Sequence, residues 1–382
     1  MEYIDRYLEP TIVSRLFKGK AIILYGPRQC GKSTLMKHLI KKQGLDPVIL
    51  TGDEDMDAAL LETVTMNRWD QILGNKKTVF IDEGQRIKNL DKSVKLLIDA
   101  RPEIQVLITG SSSFFIANET QYPLTYEYHL FPMAYGELST HFGFTEELTA
   151  LETRLVYGSY PEIIAKPEQR EEHLTLVADS YLYRDLLQYD GIRKPQVLEL
   201  LLKALAYQCG NKVSVAELSS QLTVSRTLVE SYLTILQQAF IIFPLPSYST
   251  NQRNELKKGN KYFFWDNGIR NAIIKDFTPL PSRKDIGALW QNYLVAERVK
   301  ANVYAENHTE SYFWRTLDQM KVDYLEKQKD IVSVFEFKWN PKKQARITKA
   351  FTNRYPDASV MLVNPDTYDS FLNLDSPEGD QS

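Results

Sequence analysis

The fold class predicted by the sequence is α/β, with a doubly wound parallel sheet in its first third, and three observations predict it. Short apolar runs, Ala21 to Tyr25, Pro47 to Gly52, Thr78 to Ile81 and Ile104 to Thr109, alternate with stretches of helical periodicity. Such alternation is the pattern of strands buried on both faces of a parallel sheet. The first run passes directly into a glycine-punctuated loop, Gly26-Pro27-Arg28-Gln29-Cys30-Gly31-Lys32-Ser33, and the third ends in Asp82-Glu83. In open sheets of this kind ligands bind at the carboxyl ends of strands, where both motifs fall.

From the start, residues 1–18 predict a short helical lead-in with Ile12, Leu16 and Phe17 as core contacts. The loop that follows fits G-x-x-x-x-G-K-[ST]. Its glycines let consecutive N–H groups converge on phosphate oxygens, and the helix beginning near Gly31 points its positive end at the same place. Leu35, Leu39 and Ile40 supply the helical spacing. Gly26, Pro27, Arg28, Gln29, Cys30, Gly31, Lys32, Ser33 and Thr34 are therefore the expected nucleotide-binding residues, with Lys32 on the β and γ phosphates and Ser33 on Mg²⁺. ATP and Mg²⁺ are the expected cofactors. A second strand at Pro47 to Gly52 and a helical stretch from Asp57 to Trp69 precede the third strand. That strand delivers Asp82 to the Mg²⁺ edge, and Glu83 stands where a carboxylate orients and deprotonates the attacking water.

A helix from Arg86 to Asp99 leads to the fourth strand, which ends in Thr109-Gly110-Ser111-Ser112-Ser113. There Ser111 or Ser112 is a candidate to hold the attacking water or report hydrolysis; serines equally favour a strand-to-helix cap. Tyr126 to Pro132 closes the domain as a last strand. The additional strand between the loop and the acidic pair, with the adjacent glutamate, resembles the AAA+ branch of phosphate-loop proteins.

Residues 134–210 read as helical, interrupted by a turn at Gly158-Ser159-Tyr160-Pro161-Glu162. Ser214 with Glu217 forms a capping-box pattern, Thr223-Val224 a tight connection, and Ser225 caps a second helix. Strands at Ile241 to Phe243 and Lys261 to Phe264 flank a basic loop with Arg253, Lys257 and Lys258. Two short helices and a basic hairpin resemble a winged helix. A further α/β block follows: a helix from Asp285 to Asn302 containing Glu297, strands at Glu310 to Trp314, Lys321 to Gln328 and Ile331 to Lys338, a helix near Lys343 to Tyr355, and a strand at Ser359 to Val363. Asp323 ends one half of a strand pair, and alternation puts Glu336 and Lys338 on one face of the next strand. Asp323 and Glu336, with Glu297 from the helix, are the expected acids for a metal ion and Lys338 the group that positions hydroxide, the set metal-dependent phosphodiester cleavage uses.

Composition sets outer bounds. With 382 residues, 25% charged and 43% hydrophobic, the chain reads as two or three folded domains. Cys30 and Cys209, the two cysteines, make neither a disulfide framework nor metal-ligand spacing, so a reducing, cytoplasmic setting is expected. No apolar run approaches the roughly 18 residues that span a bilayer. The formal net charge of −3 hides an asymmetry, for Arg253 to Arg354 carries 20 Lys and Arg against 12 Asp and Glu. A basic segment of this kind fits a nucleic-acid surface, as it fits a solvated mixed-charge face.

Taken together, the chain resembles a prokaryotic family in which an AAA-type ATPase domain precedes a domain of unknown function related to PD-(D/E)XK nucleases. The carriers are Gly26 to Thr34, Phe80-Ile81-Asp82-Glu83-Gly84-Gln85, Thr109-Gly110-Ser111-Ser112, Phe131-Pro132, Tyr160-Pro161-Glu162, Tyr181-Leu182-Tyr183-Arg184-Asp185, and Val322-Asp323-Tyr324 with Glu336-Phe337-Lys338. The resemblance implies a P-loop AAA+ domain over residues 1–135, a helical lid or connector over 136–210, a winged-helix-like domain over 211–266, a PD-(D/E)XK nuclease-like α/β domain over 267–374 and a disordered tail over 375–382. It implies Glu83 and Ser111, and Asp323, Glu336 and Lys338, as catalytic candidates, with Ser33, Asp82, Asp323 and Glu336 as metal ligands. The family usually carries Gly-Arg where this chain has Pro123-Leu124, so fast hydrolysis needs Arg184 or an arginine of a neighbouring subunit. The expected activity is Mg²⁺-dependent ATP binding and hydrolysis on or near DNA or RNA. The alternatives are an ATP-regulated metal-dependent endonuclease and a nucleotide-bound DNA-binding or assembly module without catalysis. A homo-oligomer is compatible with such sites; no membrane partner is expected.

Overall fold

The strands β1 (Ala21–Tyr25), β2 (Pro47–Thr51), β3 (Thr78–Asp82), β4 (Gln105–Gly110) and β5 (Thr125–His129) pair in parallel in the order β2-β3-β4-β1-β5. The structure is a computed structural model and describes residues 3–62, 65–111, 125–180, 186, 192–248, 259–315, 321–344, 351 and 355–373. Every residue of β1 and β4 is buried, which is why both read as unbroken apolar runs. At the β2 edge the protection is weaker, and Ile49 is more than half exposed. Because β4 lies between β1 and β3, the carboxyl ends of all three stand side by side. That order puts the glycine loop, Ser111 and Asp82 on one rim of the sheet.

Five helices accompany these strands: α1 (Leu8–Ser14), α2 (Lys32–Lys42), α3 (Asp55–Glu62), α4 (Met66–Leu73) and α5 (Leu90–Ala100). Two differ from the sequence expectation. The single helix expected from Asp57 to Trp69 is two, because the Thr65 hydroxyl caps a new start by accepting the Arg68 N–H. The helix expected from Arg86 begins only at Leu90. Glu83 (φ 51°) and Asn89 (φ 53°) both adopt the left-handed conformation and enclose a tight turn at Gly84–Arg86. Periodicity carries no signal for such a turn. Trp69, fully buried on α4, donates its indole N–H to the Ser93 carbonyl at 3.1 Å and holds α4 to α5.

The chain divides into two compact units, one of Met1–Met133 with Gln238–Phe240, the other of Ala134–Gln237 with Ile241–Ser382. The second contains α6 (Tyr135–Phe142), α7 (Phe144–Tyr157), α8 (Pro161–Ala165), α9 (Arg170–Ser180), α10 (Pro195–Tyr207), α11 (Val215–Gln221) and α12 (Arg226–Gln238). An antiparallel pair, β6 (Ile242–Pro246) and β7 (Asn260–Phe264), follows, then α13 (Asn267–Ile273) and α14 (Ile286–Tyr304). A four-stranded mixed sheet, in the order β11-β10-β9-β8, is made of β8 (Glu310–Arg315), β9 (Lys321–Gln328), β10 (Ile331–Phe337) and β11 (Ser359–Val363), with α15 (Tyr368–Leu372) after it.

The turn at Gly158 has a steric cause. A Cβ there would stand 2.0 Å from the Asp266 carboxylate, which accepts the Ser159 N–H at 2.7 Å and caps α13 through Ile269. On α7, Arg154 and Glu147 form a buried two-bonded ion pair at 3.0 and 2.6 Å. No helix among the described residues is long and apolar enough to cross a membrane. Ser112, Pro123, Leu124, Arg184, Arg253, Lys257, Lys258, the tail 375–382 and most of the helix expected near Lys343 to Tyr355 lie outside the described residues.

Candidate functional site

Between β1 and α2 the loop turns back over its own strand. The Gly26 N–H donates to Gly110 of β4 at 3.2 Å, and a Cβ on Gly26 would stand 2.0 Å from the Leu130 carbonyl, so only glycine passes there. Gln29 (φ 60°) and Gly31 (φ 99°) are left-handed, and Gly31 opens α2. Lys32 is buried and its ammonium donates to the carbonyls of Gly26 at 3.0 Å and Pro27 at 2.9 Å. The lysine thus spans the loop from inside. Arg28 is half-buried, Thr34 is exposed on the first turn of α2, and Cys30 is fully buried. Burial pushes the Cys30 thiol up, against the pull of Lys32 and Arg6, which disfavours the thiolate form.

The acidic end of β3 meets the loop directly. Ser33 donates its hydroxyl to Asp82 Oδ1 at 2.7 Å, and Thr109 donates to the same oxygen. Thr109 in turn accepts the Glu83 N–H at 3.2 Å. The tight turn after Glu83 folds Gln85 back, where its amide donates to Glu83 Oε2 at 2.6 Å and to the Ser111 hydroxyl at 2.8 Å. Gln85 Oε1 accepts the Ser111 N–H at 3.3 Å. Gly52 permits this turn, since a Cβ on it would stand 2.4 Å from the Glu83 carbonyl. Gly26 to Thr34, Asp82, Glu83 and Ser111 therefore share one rim, with a hydroxyl–carboxylate pair able to hold a hard cation and a second carboxylate beside it.

Sequence reasoning gave three of the neighbours here no role. Thr109 stood in the quoted strand end and Gln85 in the quoted motif, but nothing local says that either reaches an acid. Arg6 had no signal at all. It is buried, donating to the Cys30 carbonyl at 3.0 Å and the Phe131 carbonyl at 2.6 Å, and so fastens the lead-in segment to the loop.

In the second unit, the β9–β10 register ends at the pair Tyr324 with Phe335, beside Asp323 on one strand and Glu336 on the other. Asp323 Oδ2 accepts the Phe337 N–H at 3.3 Å, whereas Oδ1 is buried, makes no hydrogen bond and lies 3.4 Å from the Lys321 ammonium. Lys338 donates to Glu336 Oε1. The pairing of β8 with β9 shifts register beside Asp323, between Tyr312 and Trp314, a local distortion of the kind that re-aims side chains. Lys261 on β7 is buried, and burial pushes its ammonium down to about 8 despite the attraction of Asp323. Glu336 and Lys338 are thus in contact, and Asp323 reaches the backbone of Phe337 between them. Glu297 is not among them. Its carboxylate accepts the Tyr135 N–H and the Lys300 ammonium, each at 2.7 Å, so it closes a buried structural contact.

Comparison with known proteins bears on the first third of the chain. Residues 18–139 match a family model described as AAA domain. Residues 148–280 match a domain of unknown function (DUF8612) and residues 286–373 another (DUF4143). An uncharacterized protein of Haemophilus influenzae is 24% identical over 336 residues, spanning 81% of this chain and 80% of its own. One of Mycobacterium tuberculosis is 27% identical over 322 residues, spanning 81% and 68%. Among solved structures, Cdc6p from Pyrobaculum aerophilum aligns over 72% of this chain and 95% of its own at 9% identity and a TM-score of 0.27. A structure of Drosophila ORC bound to AT-rich DNA and Cdc6 gives 70%, 90%, 10% and 0.25. Likenesses at these TM-scores carry no argument. In its first third the chain is similar to AAA-type ATP-binding domains, and no nuclease relation of the last third emerges from these matches.

Proposed function

We propose that the chain binds ATP with Mg²⁺ in the loop Gly26 to Thr34 and hydrolyses it slowly, the nucleotide state controlling a nucleic-acid-directed second half. The observation that carries this reading is the 2.7 Å hydrogen bond from Ser33 to Asp82, which joins the phosphate loop to the acid strand at one oxygen. The donor set fits Mg²⁺: one hydroxyl and one carboxylate oxygen, hard ligands that phosphate oxygens and water would complete. Mg²⁺, when bound there, supplies charge neutralisation on the β and γ phosphates. The loop N–H groups and Lys32 bind the phosphate oxygens and orient the γ-phosphoryl group. Glu83 accepts a proton from water as its oxygen bonds to the γ-phosphorus, and the bond to the β–γ bridging oxygen breaks. Ser111 holds the γ-phosphate edge.

For the second half, α11 and α12 joined through Thr223 and followed by the β6–β7 pair support a winged-helix reading. A shallow, open hollow of about 670 Å³ at this connection is lined by Lys194, Ser219, Ser220, Thr223 and Ser225 together with Val224 and Leu228, and its hydroxyls and ammonium would suit backbone phosphates. The test is phosphate release from ATP by the intact protein with and without duplex DNA or RNA, and with Mg²⁺ or a chelator. Slow, Mg²⁺-dependent release that nucleic acid changes several-fold is expected. Absence of release would reduce the first site to a binding module, and indifference to nucleic acid would remove the second half of the proposal.

A second reading is favoured by one observation, the buried Asp323 Oδ1, which lacks a hydrogen bond and faces the Lys321 ammonium only at 3.4 Å. A cation held by Asp323 and Glu336 would satisfy it, with Lys338 placing the attacking oxygen for phosphodiester cleavage. Plasmid cutting in Mg²⁺ or Mn²⁺ is then expected from the parent protein and absent in Asp323→Ala. Cleavage that survives this substitution, or no cleavage by the parent, contradicts the reading.

A further inference from the structure

We infer that Gln85 is a positioning residue that ties the Glu83 carboxylate to Ser111, so that a phosphate contact at Ser111 sets where that carboxylate stands. The inference rests on the proposed role of Glu83 as the group that activates water. Gln85 reaches no base or phosphate of its own; it acts through the two residues it joins.

The geometry is specific in three ways. A primary amide has two N–H donors, and the Gln85 nitrogen makes one contact to Glu83 Oε2 at 2.6 Å and one to the Ser111 hydroxyl at 2.8 Å. Its oxygen accepts the Ser111 N–H at 3.3 Å, so all three polar groups of the amide engage the two residues that flank the proposed γ-phosphate position. The backbone leaves Glu83 little choice of direction. Its φ of 51° is costly for a residue with a Cβ, and Thr109 holds its N–H while Arg86 donates to its carbonyl at 3.1 Å. Space for the bridge is left by Gly110, where a Cβ would stand 3.3 Å from Gln85 Oε1. Strain that the neighbours maintain, together with a side chain committed wholly to two functional groups, makes a linkage between the end of β4 and the acid after β3.

Its consequence concerns coupling. Ser111 accepts the Gln85 N–H and keeps its own O–H to donate to a phosphate, so a movement of its side chain toward that phosphate carries the amide that holds Glu83, and a swing of Glu83 pulls on the same amide. Replacing Gln85 by methionine keeps length and volume and removes every polar contact; Gln85→Glu keeps the shape and sets a second carboxylate against the first. Both variants are expected to bind ATP as the parent does and to turn it over roughly 10- to 100-fold more slowly, the cost of a misplaced catalytic group. Affinity and melting temperature, read on the same samples, report the fold. The decisive comparison is a cycle of parent, Gln85→Met, Ser111→Ala and the double variant. If Gln85 links the two residues, the double variant is no slower than the slower single one; independent roles would make the two losses multiply. Multiplying losses, or parental turnover in Gln85→Met, overturns the linkage. Glu83→Gln run alongside separates the failures. An inactive Glu83→Gln beside a fully active Gln85→Met removes only the linkage, whereas an active Glu83→Gln removes the underlying role of Glu83.

Discussion

Lys32→Ala leaves a folded chain whose response to ATP is cut to half or less. The wild-type ammonium is buried against two loop carbonyls and stands where β and γ phosphate oxygens would arrive. A charge-assisted hydrogen bond from such a group contributes about 1.5 to 3 kcal/mol. Losing one therefore lowers affinity at least roughly 10-fold, and losing two lowers it beyond 100-fold. Thermal melting reads the effect. At ATP concentrations near 100 times the dissociation constant, the parent gains about 2.7 kcal/mol, a shift of several degrees. With affinity lowered roughly 10- to 100-fold, the variant gains only about 1.4 to 0.4 kcal/mol at the same concentration, half the parent's shift or less. An equal ATP-induced shift in both proteins would mean that the nucleotide sits elsewhere.

Glu83→Gln should bind ATP as the parent does and lose turnover by roughly 10² to 10⁴, the range a positioned general base contributes. The substitution preserves shape and the left-handed backbone at this position, so a fall in rate without a fall in affinity isolates proton transfer. The control is nucleotide occupancy, measured on the same preparation. A fully active Glu83→Gln would reassign the base, and within hydrogen-bond reach the remaining carboxylate on this rim is Asp82, already engaged by Ser33 and Thr109. Proton acceptance by Asp82 would compete with its proposed metal contact.

The two sites were not equally legible in the sequence. The loop Gly26 to Ser33 could be read directly because its chemistry is local: the glycine spacing, the lysine and the hydroxyl act within one turn of chain. Asp82 followed because a buried strand announces itself as an apolar run. Gln85 did not, since its reach to Ser111 depends on a left-handed residue at Glu83 and on the pairing of β3 with β4, and neither is encoded in periodicity. Arg6 is harder still, because its partners Cys30 and Phe131 come from a loop and a strand exit far along the chain. Glu297 was misread for a related reason. A glutamate on an amphipathic helix near a candidate acid pair looks like a third ligand, yet its carboxylate is taken by Tyr135, 162 residues away, and by Lys300. Burial pushes that carboxyl up, and the lysine opposes it. Strand alternation put Glu336 and Lys338 on one face, while the register shift beside Asp323 depends on how β8 pairs and had no sequence signal.

The central claim is that Ser33 and Asp82 make this loop a Mg²⁺-ATP site. Calorimetric titration of the intact protein with ATP, in Mg²⁺ and then in a chelator, tests it most directly. Binding of one ATP per chain that weakens at least roughly 10-fold in the chelator, and likewise in Asp82→Ala, is the predicted result. Binding of equal strength with and without Mg²⁺, or no binding at all, would contradict it.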